Sequence, residues 1–359
     1  MATKALTRQG GRKKKVRSRP MDGSRKSALL VGMPKHRARA VIREAAYLLG
    51  VPADAAWISH AITVTHRVKD LLGERETRQT HGARMSDKEL RQRTAAILAE
   101  PRPKTGLQKY YLQLKGQREL SYSTLLDIEY AVGKVRALHD SVFWEILAAQ
   151  PTGLAHYNYW ARHLSFSKTP LGPSPWDTRR DVAIRPPLKA ISATAKHGTL
   201  RSLAFLMIAM GAAYECNWPD IYKESFHWLS RKLWLYSAVQ PFADFGPEFA
   251  GDVLASAVRG KWPIPSDWRA MTQRVVPIYK RAILAAYANG DLVRDETYPR
   301  GNRQAEIDLL TKLQARYSLE KIRASSELKL RNAKGRPAPA PPITVNWDTW
   351  NHQQLVSFY

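Results

Sequence analysis

A run of basic residues near the amino terminus carries the clearest chemistry in this sequence. Residues 12–19 are RKKKVRSR, and the first 45 residues hold 14 Lys or Arg against Asp22 and Glu44, an excess of 12 positive charges. The run has no apolar periodicity that a core could bury, so its charge stays solvated and available to neutralise phosphates. We predict phosphate contacts by Arg12, Lys13, Lys14, Lys15, Arg17 and Arg19. The alternative is a tail that serves only solubility or localisation.

The rest of the chain is basic as well. Of the net charge of +26 over 359 residues, +14 lies beyond residue 45. The positive charges of a compact protein with this net charge repel one another, which indicates that its surface binds a polyanion. We therefore expect nucleic acid as the partner, with DNA favoured and RNA possible.

Other classes of protein fit the composition poorly. The lone cysteine, Cys216, allows neither an internal disulfide nor a cysteine-based metal cluster, and it fits a reducing compartment. The longest apolar stretch, residues 202–214, is about 13 residues long, shorter than the roughly 20 that cross a bilayer. We expect an intracellular protein, cytoplasmic or nucleoid-associated, with no membrane contact.

Apolar spacing predicts a mainly α, multi-helical fold. Residues 1–33 are predicted to be a disordered basic arm, residues 34–164 a helical module, 165–187 a Pro-rich linker or loop, and 188–334 a larger helical domain rich in Trp. The predicted helices are 34–50, 53–72, 86–100, 105–114, 123–132, 140–149, 188–214, 220–239, 247–258, 266–289 and 302–331. A loop is predicted at 73–85, and a short strand at 61–65 is an alternative to helix.

The carboxyl-terminal part carries large aromatic side chains on a tether. Residues 335–342 are GRPAPAPP, a composition typical of an extended, semi-rigid spacer. We predict that the segment after this spacer docks in a groove, on its own body or on a partner, through Trp347, Trp350, Phe358 and Tyr359. The eight tryptophans from Trp144 to Trp268 are interpreted as core residues rather than base-stacking platforms.

Residues 107–128 resemble a known DNA-binding motif. A helix with Leu, Gln and Lys ends at Gly116, a short turn with Arg118 follows, and Ser121 begins a helix with Thr124, Leu125 and Ile128. Roughly residues 86–133 resemble a λ-repressor-like helix-turn-helix domain, although Leu120 stands where that family commonly has proline. The resemblance implies a recognition helix and duplex DNA binding. Residues 43–58 are a second, weaker candidate for such a turn.

A helix that enters the major groove needs long polar side chains on its outer face. We expect Leu107, Tyr111 and Leu114 to face inward, and we predict base contacts by Lys104, Thr105, Gln108, Lys109 and Gln113. Phosphate contacts are further predicted for Arg37, Arg39, Arg43 and Arg118. An ordinary amphipathic helix with a solvated polar face explains the same pattern.

We find no set of residues that predicts catalysis, a cofactor or a metal site. A Gly-x-x-x-x-Gly-Lys phosphate loop is absent from the sequence, and the six-residue spacing of His60 and His66 does not place both on one helical face. His139 beside Asp140 is explained by a helix start, and Cys216 by burial.

The sequence therefore predicts a non-catalytic nucleic-acid-binding protein in a regulatory or mobile-element context, able to associate with itself. The main alternative is a nucleocapsid or packaging protein, found in a virion, that polymerises along RNA or DNA through its terminal segments. An enzyme acting on nucleic acid is the third hypothesis.

Overall fold

The computed structural model describes most of the chain between residues 28 and 333. The described residues are 28–80, 85–100, 107–133, 135–149, 153, 156, 157, 159, 160, 164, 176, 177, 182, 183, 185–196, 199–258, 261, 262, 266–295 and 299–333, with side chains left out for 28–34, 107–109, 149, 176, 177, 182, 183, 299 and 300. The predicted arm contacts at 12–19 and the four aromatic residues of the tail lie outside these ranges.

The described residues form a mainly α-helical fold. The amino-terminal helices are α1 Ala28–Leu48, α2 Ala55–Thr80, α3 Asp87–Leu98, α4 Leu107–Leu114, α5 Tyr122–Val132, α6 Arg136–His139 and α7 Val142–Ala149. Two strands of two residues each, β1 Trp176–Asp177 and β2 Val182–Ala183, then pair antiparallel, with Trp176 opposite Ala183. The remaining helices are α8 Leu188–Lys196, α9 Leu200–Glu215, α10 Pro219–Ala238, α11 Gly246–Val258, α12 Trp268–Asn289, α13 Pro299–Arg316 and α14 Leu319–Asn332.

Helix α1 packs against two hydrophobic cores. Its Val41, Ile42 and Ala45 join a small core with α2, α4 and α5, whereas Ala40 joins a large core built from α7, α9, α10 and α11. A third cluster joins α10 to α12, α13 and α14. The salt bridge from Arg303 to Glu44 also ties α13 to α1. Helix α1 therefore braces the amino-terminal helices against the carboxyl-terminal ones.

The predicted module at 34–164 shares a core with the helices that follow it. Phe143 and Trp144 of α7, together with Tyr157 and Leu164, are buried in the large core beside α9 and α10. Most of the described tryptophans lie in or against this core, as the sequence predicted. The apolar pattern could not assign α7 to one core or the other, because it shows which face is buried but not what covers that face.

Several helix limits differ from the predictions for identifiable reasons. Helix α1 begins at Ala28, inside the predicted arm, because Ala, Leu and Met are strong helix formers, and Pro34 therefore lies inside the helix. Helix α2 is continuous through 61–65 and extends to Thr80, across much of the predicted loop, because Glu, Arg and Gln favour helix there. The Arg75 guanidinium on this extension bonds Asp87 of α3 at 2.7 Å.

Capping residues divide two segments that we predicted as single helices. Thr199 and Ser202 form a capping box that begins α9, and Ser318 accepts a hydrogen bond from the backbone N–H of Lys321 at the start of α14. The predicted cap at Ser86 is confirmed, since its hydroxyl accepts from the N–H of Glu89 at 3.1 Å. Helices α8 and α9 contribute to one core, and α13 and α14 contribute to another. The apolar periodicity therefore continues across each division, and the sequence pattern alone did not show where one helix ends and the next begins.

Candidate nucleic-acid interface

Helix α4 presents a different face to solvent from the one predicted. Gln113, predicted to read bases, is 2 % exposed, and its Nε2 donates to the carbonyl oxygen of Glu119 at 3.3 Å. Tyr110 is buried, whereas Tyr111, predicted to face inward, is 51 % exposed. The prediction was wrong for Gln113 and Tyr111 because Tyr110 and Leu114, four residues apart, form the buried face. Gln113 stabilises the turn in this conformation and is not available to a base.

The other predicted base contacts have no described side chain. Gln108 and Lys109 lie on α4, where only their backbone is described, and Lys104 and Thr105 precede the helix outside the described ranges. Their predicted contacts with bases remain predictions.

The turn between α4 and α5 has the local structure that the sequence indicated. Gly116 adopts a left-handed backbone with φ of 69°, and a Cβ there would meet the Lys35 side chain at 2.0 Å. The N–H of Gln117 reaches back to the carbonyl of Leu112 at 2.8 Å. Ser121 then caps α5 by accepting from the N–H of Thr124 at 3.2 Å. Gly116 therefore ends α4 and Ser121 caps α5, while the helix-turn-helix motif and membership of the λ-repressor-like family stay predictions.

Three tyrosines and one leucine on α4 and α5 are exposed large side chains. We call this set, Tyr111, Tyr122, Leu126 and Tyr130, the tyrosine surface. The opposite face of α5 is buried through Leu125 and Ile128. We did not predict this surface from the sequence, because we assigned Tyr111 to the inward face of α4 and assigned no role to Tyr122, Leu126 or Tyr130.

Three cations lie beside the rings of the tyrosine surface. Lys115 Nζ lies 5.7 Å from the ring centre of Tyr111, and the guanidinium of Arg136 lies 5.9 Å from that of Tyr122. Lys69 Nζ lies 5.2 Å from the ring centre of Tyr130. Arg118, a predicted phosphate contact, is exposed on the turn between the two helices. Arg136 is also paired with Glu129 at 2.8 Å, and Lys69 donates to the carbonyl oxygen of Tyr130 at 2.5 Å, so the exposed cations without a carboxylate partner among the described residues of this surface are Lys115 and Arg118 at the turn.

Two of the basic residues of α1 form ion pairs with acidic residues of the same chain. Arg39 bonds the Oε2 of Glu248 at 2.7 Å and lies over the ring of Phe245, while Arg43 pairs with Asp244. The prediction that Arg39 and Arg43 contact phosphates is therefore corrected, because both guanidinium groups are largely buried against acidic partners. Arg37 is half-buried on the same helix, and its predicted contact is untested.

Complementary spacing explains how α1 and α11 meet. Lys35, Arg39 and Arg43 are four residues apart along α1, and Asp244, Glu248 and Asp252 are four residues apart at and along α11. Residues four apart share a helical face, so one row is basic and the other acidic. The rows are joined by the pairs Lys35–Glu248, Arg39–Glu248 and Arg43–Asp244. We call these six residues the charge ladder. Its spacing is visible in the sequence, but only the fold shows that the two rows face each other.

His36 extends the ladder into a small cluster beside a pocket. Its ring is buried, stacks on Phe245 with centroids 5.6 Å apart, and places Nε2 2.8 Å from Asp252 Oδ2. The adjoining pocket has a volume of about 730 Å³ and is lined partly by Trp268. Burial against aromatic rings fixes the orientation of the imidazole, so the His36–Asp252 contact adds a further link between α1 and α11.

The donor set of this cluster is of a kind that could hold a divalent metal ion. His36 Nε2 and one carboxylate oxygen each from Glu248 and Asp252 lie within 4.8 Å of one another. However, both oxygens of Glu248 accept hydrogen bonds, one from Lys35 and one from Arg39. A metal ion would have to displace at least one of these cations, and we interpret the cluster as a structural contact.

The ladder shifts the pKa values of its members. Burial alone would raise the pKa of Glu248, but hydrogen bonds from Lys35 and Arg39 outweigh it and lower the pKa to about 2. Burial and the neighbouring charge of Arg39 lower the pKa of Arg43 to about 10. The carboxylate of Glu248 therefore favours the folded state only while it is ionised.

Replacing Glu248 with glutamine tests this contribution. A lowered carboxylate pKa gives stability that is complete above the unfolded pKa, about 4.3, and is lost as the pH falls toward 2. We expect E248Q to be less stable than the parent by about 1 kcal/mol at pH 7, after allowance for solvent screening, and to lose less stability between pH 4.5 and 2. Urea unfolding at pH 7 and pH 3 measures both differences.

The control is E320Q, which removes a more exposed carboxylate that pairs with Arg274. It should change stability by less than about 0.5 kcal/mol at either pH. An identical pH dependence for E248Q and the parent protein would contradict the role of Glu248.

Taken together, the fold and surface define a mainly α-helical, strongly basic protein. Comparison of the chain with protein-family models, with curated proteins and with solved structures finds no match. Within the described ranges, none of the helices combines the length and apolar character needed to cross a bilayer.

Proposed function

We propose that this protein binds nucleic acid, as a binding protein rather than an enzyme. In this proposal the basic arm neutralises phosphates, and the turn between α4 and α5 supplies a second group of contacts on the folded body. The observation that supports it best is the exposed pair Lys115 and Arg118. Neither has a carboxylate partner among the described residues, in contrast to Arg39 and Arg43.

The position of these cations suits phosphate binding. Lys115 and Arg118 flank Gly116, where the chain leaves α4, and the exposed Ser121 and Ser123 follow within a few residues. Hydroxyl groups and cations on a turn are common donors to nucleic-acid phosphates. The contacts expected here give affinity without choice of sequence, since phosphates are the same at every position.

Replacing Lys115 and Arg118 with alanine tests the proposal. Each lost phosphate contact lowers the slope of log affinity against log salt by about 0.7 to 0.9. We expect K115A/R118A to bind about 10- to 30-fold more weakly at 0.15 M salt, and to the same degree for every sequence. Fluorescence anisotropy with labelled oligonucleotides across a salt series measures both quantities.

The matched control is K312A/R316A, which removes the same charges from an exposed part of α13. Its affinity should fall by less than about threefold, because distant charges are screened at this salt concentration. Equal losses in the two double variants would show that the turn contributes only net charge.

A second candidate function is a packaging protein that coats RNA or DNA. It is favoured by the burial of Gln113, which removes one of the five predicted base contacts and so weakens the case for recognition of a particular sequence. Large particles that grow with nucleic acid would support this candidate. A discrete complex on a short duplex would support the regulatory one.

A further inference from the structure

The outer face of α5 carries a row of exposed large side chains, of which Tyr130 also contacts α2 through a hydrogen bond from its hydroxyl to Asp70 at 2.9 Å and an edge-on contact of its ring with His66. Tyr122, Leu126 and Tyr130 follow one another at four-residue intervals and are 68, 40 and 46 % exposed. Residues at this spacing lie in one row along a helix. Three large apolar side chains in one exposed row are typical of a binding surface rather than of a solvated face.

Tyr111 is a further exposed ring, on the helix that precedes the turn. Helices α4 and α5 both pack against α1 and α2 with their buried faces. Tyr111 and Tyr122 therefore flank the same turn, with Arg118 between them in the chain. The result is a series of aromatic rings at the rim of the small core.

The charge around the rings identifies the kind of partner. Lys115 Nζ lies 5.7 Å from the ring centre of Tyr111, and Arg118 is exposed on the same turn; neither has a carboxylate partner among the described residues. Arg136, beside Tyr122, is paired with Glu129 at 2.8 Å, so the positive charge of this surface is concentrated at the turn. A partner with flat apolar groups and regularly spaced negative charge matches both the exposed rings and the positive charge of the surface.

We propose that the tyrosine surface binds single-stranded nucleic acid, with unpaired bases stacked on Tyr111 and Tyr122 and phosphates beside Lys115 and Arg118. In a duplex the faces of the bases are covered by their neighbours, so tyrosine rings can stack only on unpaired bases. Stacking is possible for every base, and the surface tolerates any sequence. This inference rests on the proposed function, which concerns nucleic acid of either form.

The test compares tyrosine variants on single strands and on a duplex. The variants are Y111A and Y122A, the probes are fluorescein-labelled 12-nucleotide single-stranded DNA and RNA and a DNA hairpin of matched charge, and the readout is anisotropy at 0.15 M salt. We expect each variant to lose about 5- to 150-fold in affinity for the single strands. The loss for the hairpin should be under about threefold, and the salt slope should be unchanged because no cation is removed.

Two controls separate stacking from other effects. Tyr317, on the segment after α13, is 50 % exposed, and Y317A should bind as the parent does. Y122F keeps the ring and should retain most of the affinity. A 2-aminopurine base in the single strand should be quenched on binding to the parent and less so on binding to Y122A, a signal that fold stability alone does not change.

The outcomes separate this inference from the proposed function. Absence of binding to all three probes would overturn both. Binding that is equal for Y122A and the parent would overturn the stacking surface and leave the proposed function standing. A change in oligomeric mass with unchanged affinity would also overturn the inference, because it would assign the face to self-association.

Discussion

Replacing the six arm residues Arg12, Lys13, Lys14, Lys15, Arg17 and Arg19 with alanine is expected to lower nucleic-acid affinity about 1,000-fold at 0.15 M salt. The reason is counterion release, which contributes a factor of several for each phosphate that a cation neutralises. The slope of log affinity against log salt should fall by about 4 on single strands and about 5 on duplex. Titrations at several salt concentrations measure both changes.

A matched control keeps the change in net charge but leaves the arm intact. It replaces three lysines and three arginines that are exposed on the described body: Lys88, Lys223, Lys312, Arg78, Arg91 and Arg316. We expect a loss of less than about tenfold, because these residues are spread over α2, α3, α10 and α13 and do not form one contact surface. If the control and the arm variant lose affinity equally, the arm is only a source of net charge.

The second large effect is on stability and concerns two glycines of α11. A Cβ at Gly246 would lie 1.9 Å from the carbonyl oxygen of Ser237, at the end of α10, whereas a Cβ at Gly251 would meet no atom within 4 Å. We expect Gly246→Ala to destabilise the protein by about 3 kcal/mol, since the backbone of α10 has to move. Gly251→Ala should instead stabilise by about 0.5 to 1 kcal/mol, because alanine is the better helix former.

Urea unfolding followed by circular dichroism measures both glycine variants. They make the same chemical change in the same helix, so the difference in sign isolates the close approach of α10 and α11. Similar effects for the two variants would contradict the packing of these helices. A shift of α11 in the Gly246→Ala variant would also displace Glu248 of the charge ladder, which lies two residues beyond Gly246.

Some features of the fold follow directly from the sequence. Apolar spacing predicted the helices that became α5, α10, α11 and α12 to within a few residues at each end. Ser86 marked the start of α3, and its hydroxyl caps that helix as predicted. These features depend on interactions among near neighbours in the chain, which is why a local pattern contains them.

Other features depend on contacts between distant residues. From the sequence we predicted that Gln113 faces solvent and that Tyr111 is buried. The apolar residues of this short helix are compatible with more than one buried face, so the pattern alone could not select the correct one. The packing of α4 on α1 and α2 selected Tyr110 and Leu114 instead. Likewise, Arg39 and Arg43 look like surface cations in the sequence, since their partners Glu248 and Asp244 lie about 200 residues away.

Contacts with distant residues also decide which cations are available to a nucleic acid. Arg39 and Arg43 neutralise carboxylates and hold α1 against α11, so they contribute to stability. Lys115 and Arg118 lie at an exposed turn beside tyrosine rings. We therefore propose that the arm and the turn provide affinity for nucleic acid, whereas the charge ladder holds α1 against α11.

The most direct test of nucleic-acid binding uses the unaltered protein. Its affinity for duplex DNA, single-stranded DNA and single-stranded RNA is measured across a salt series, and particle size is followed in the same samples by light scattering. We expect binding that weakens steeply with salt, because several phosphates are contacted, and that is tightest for the single strands. Absence of binding at low salt, or binding that does not depend on salt, would contradict the proposal.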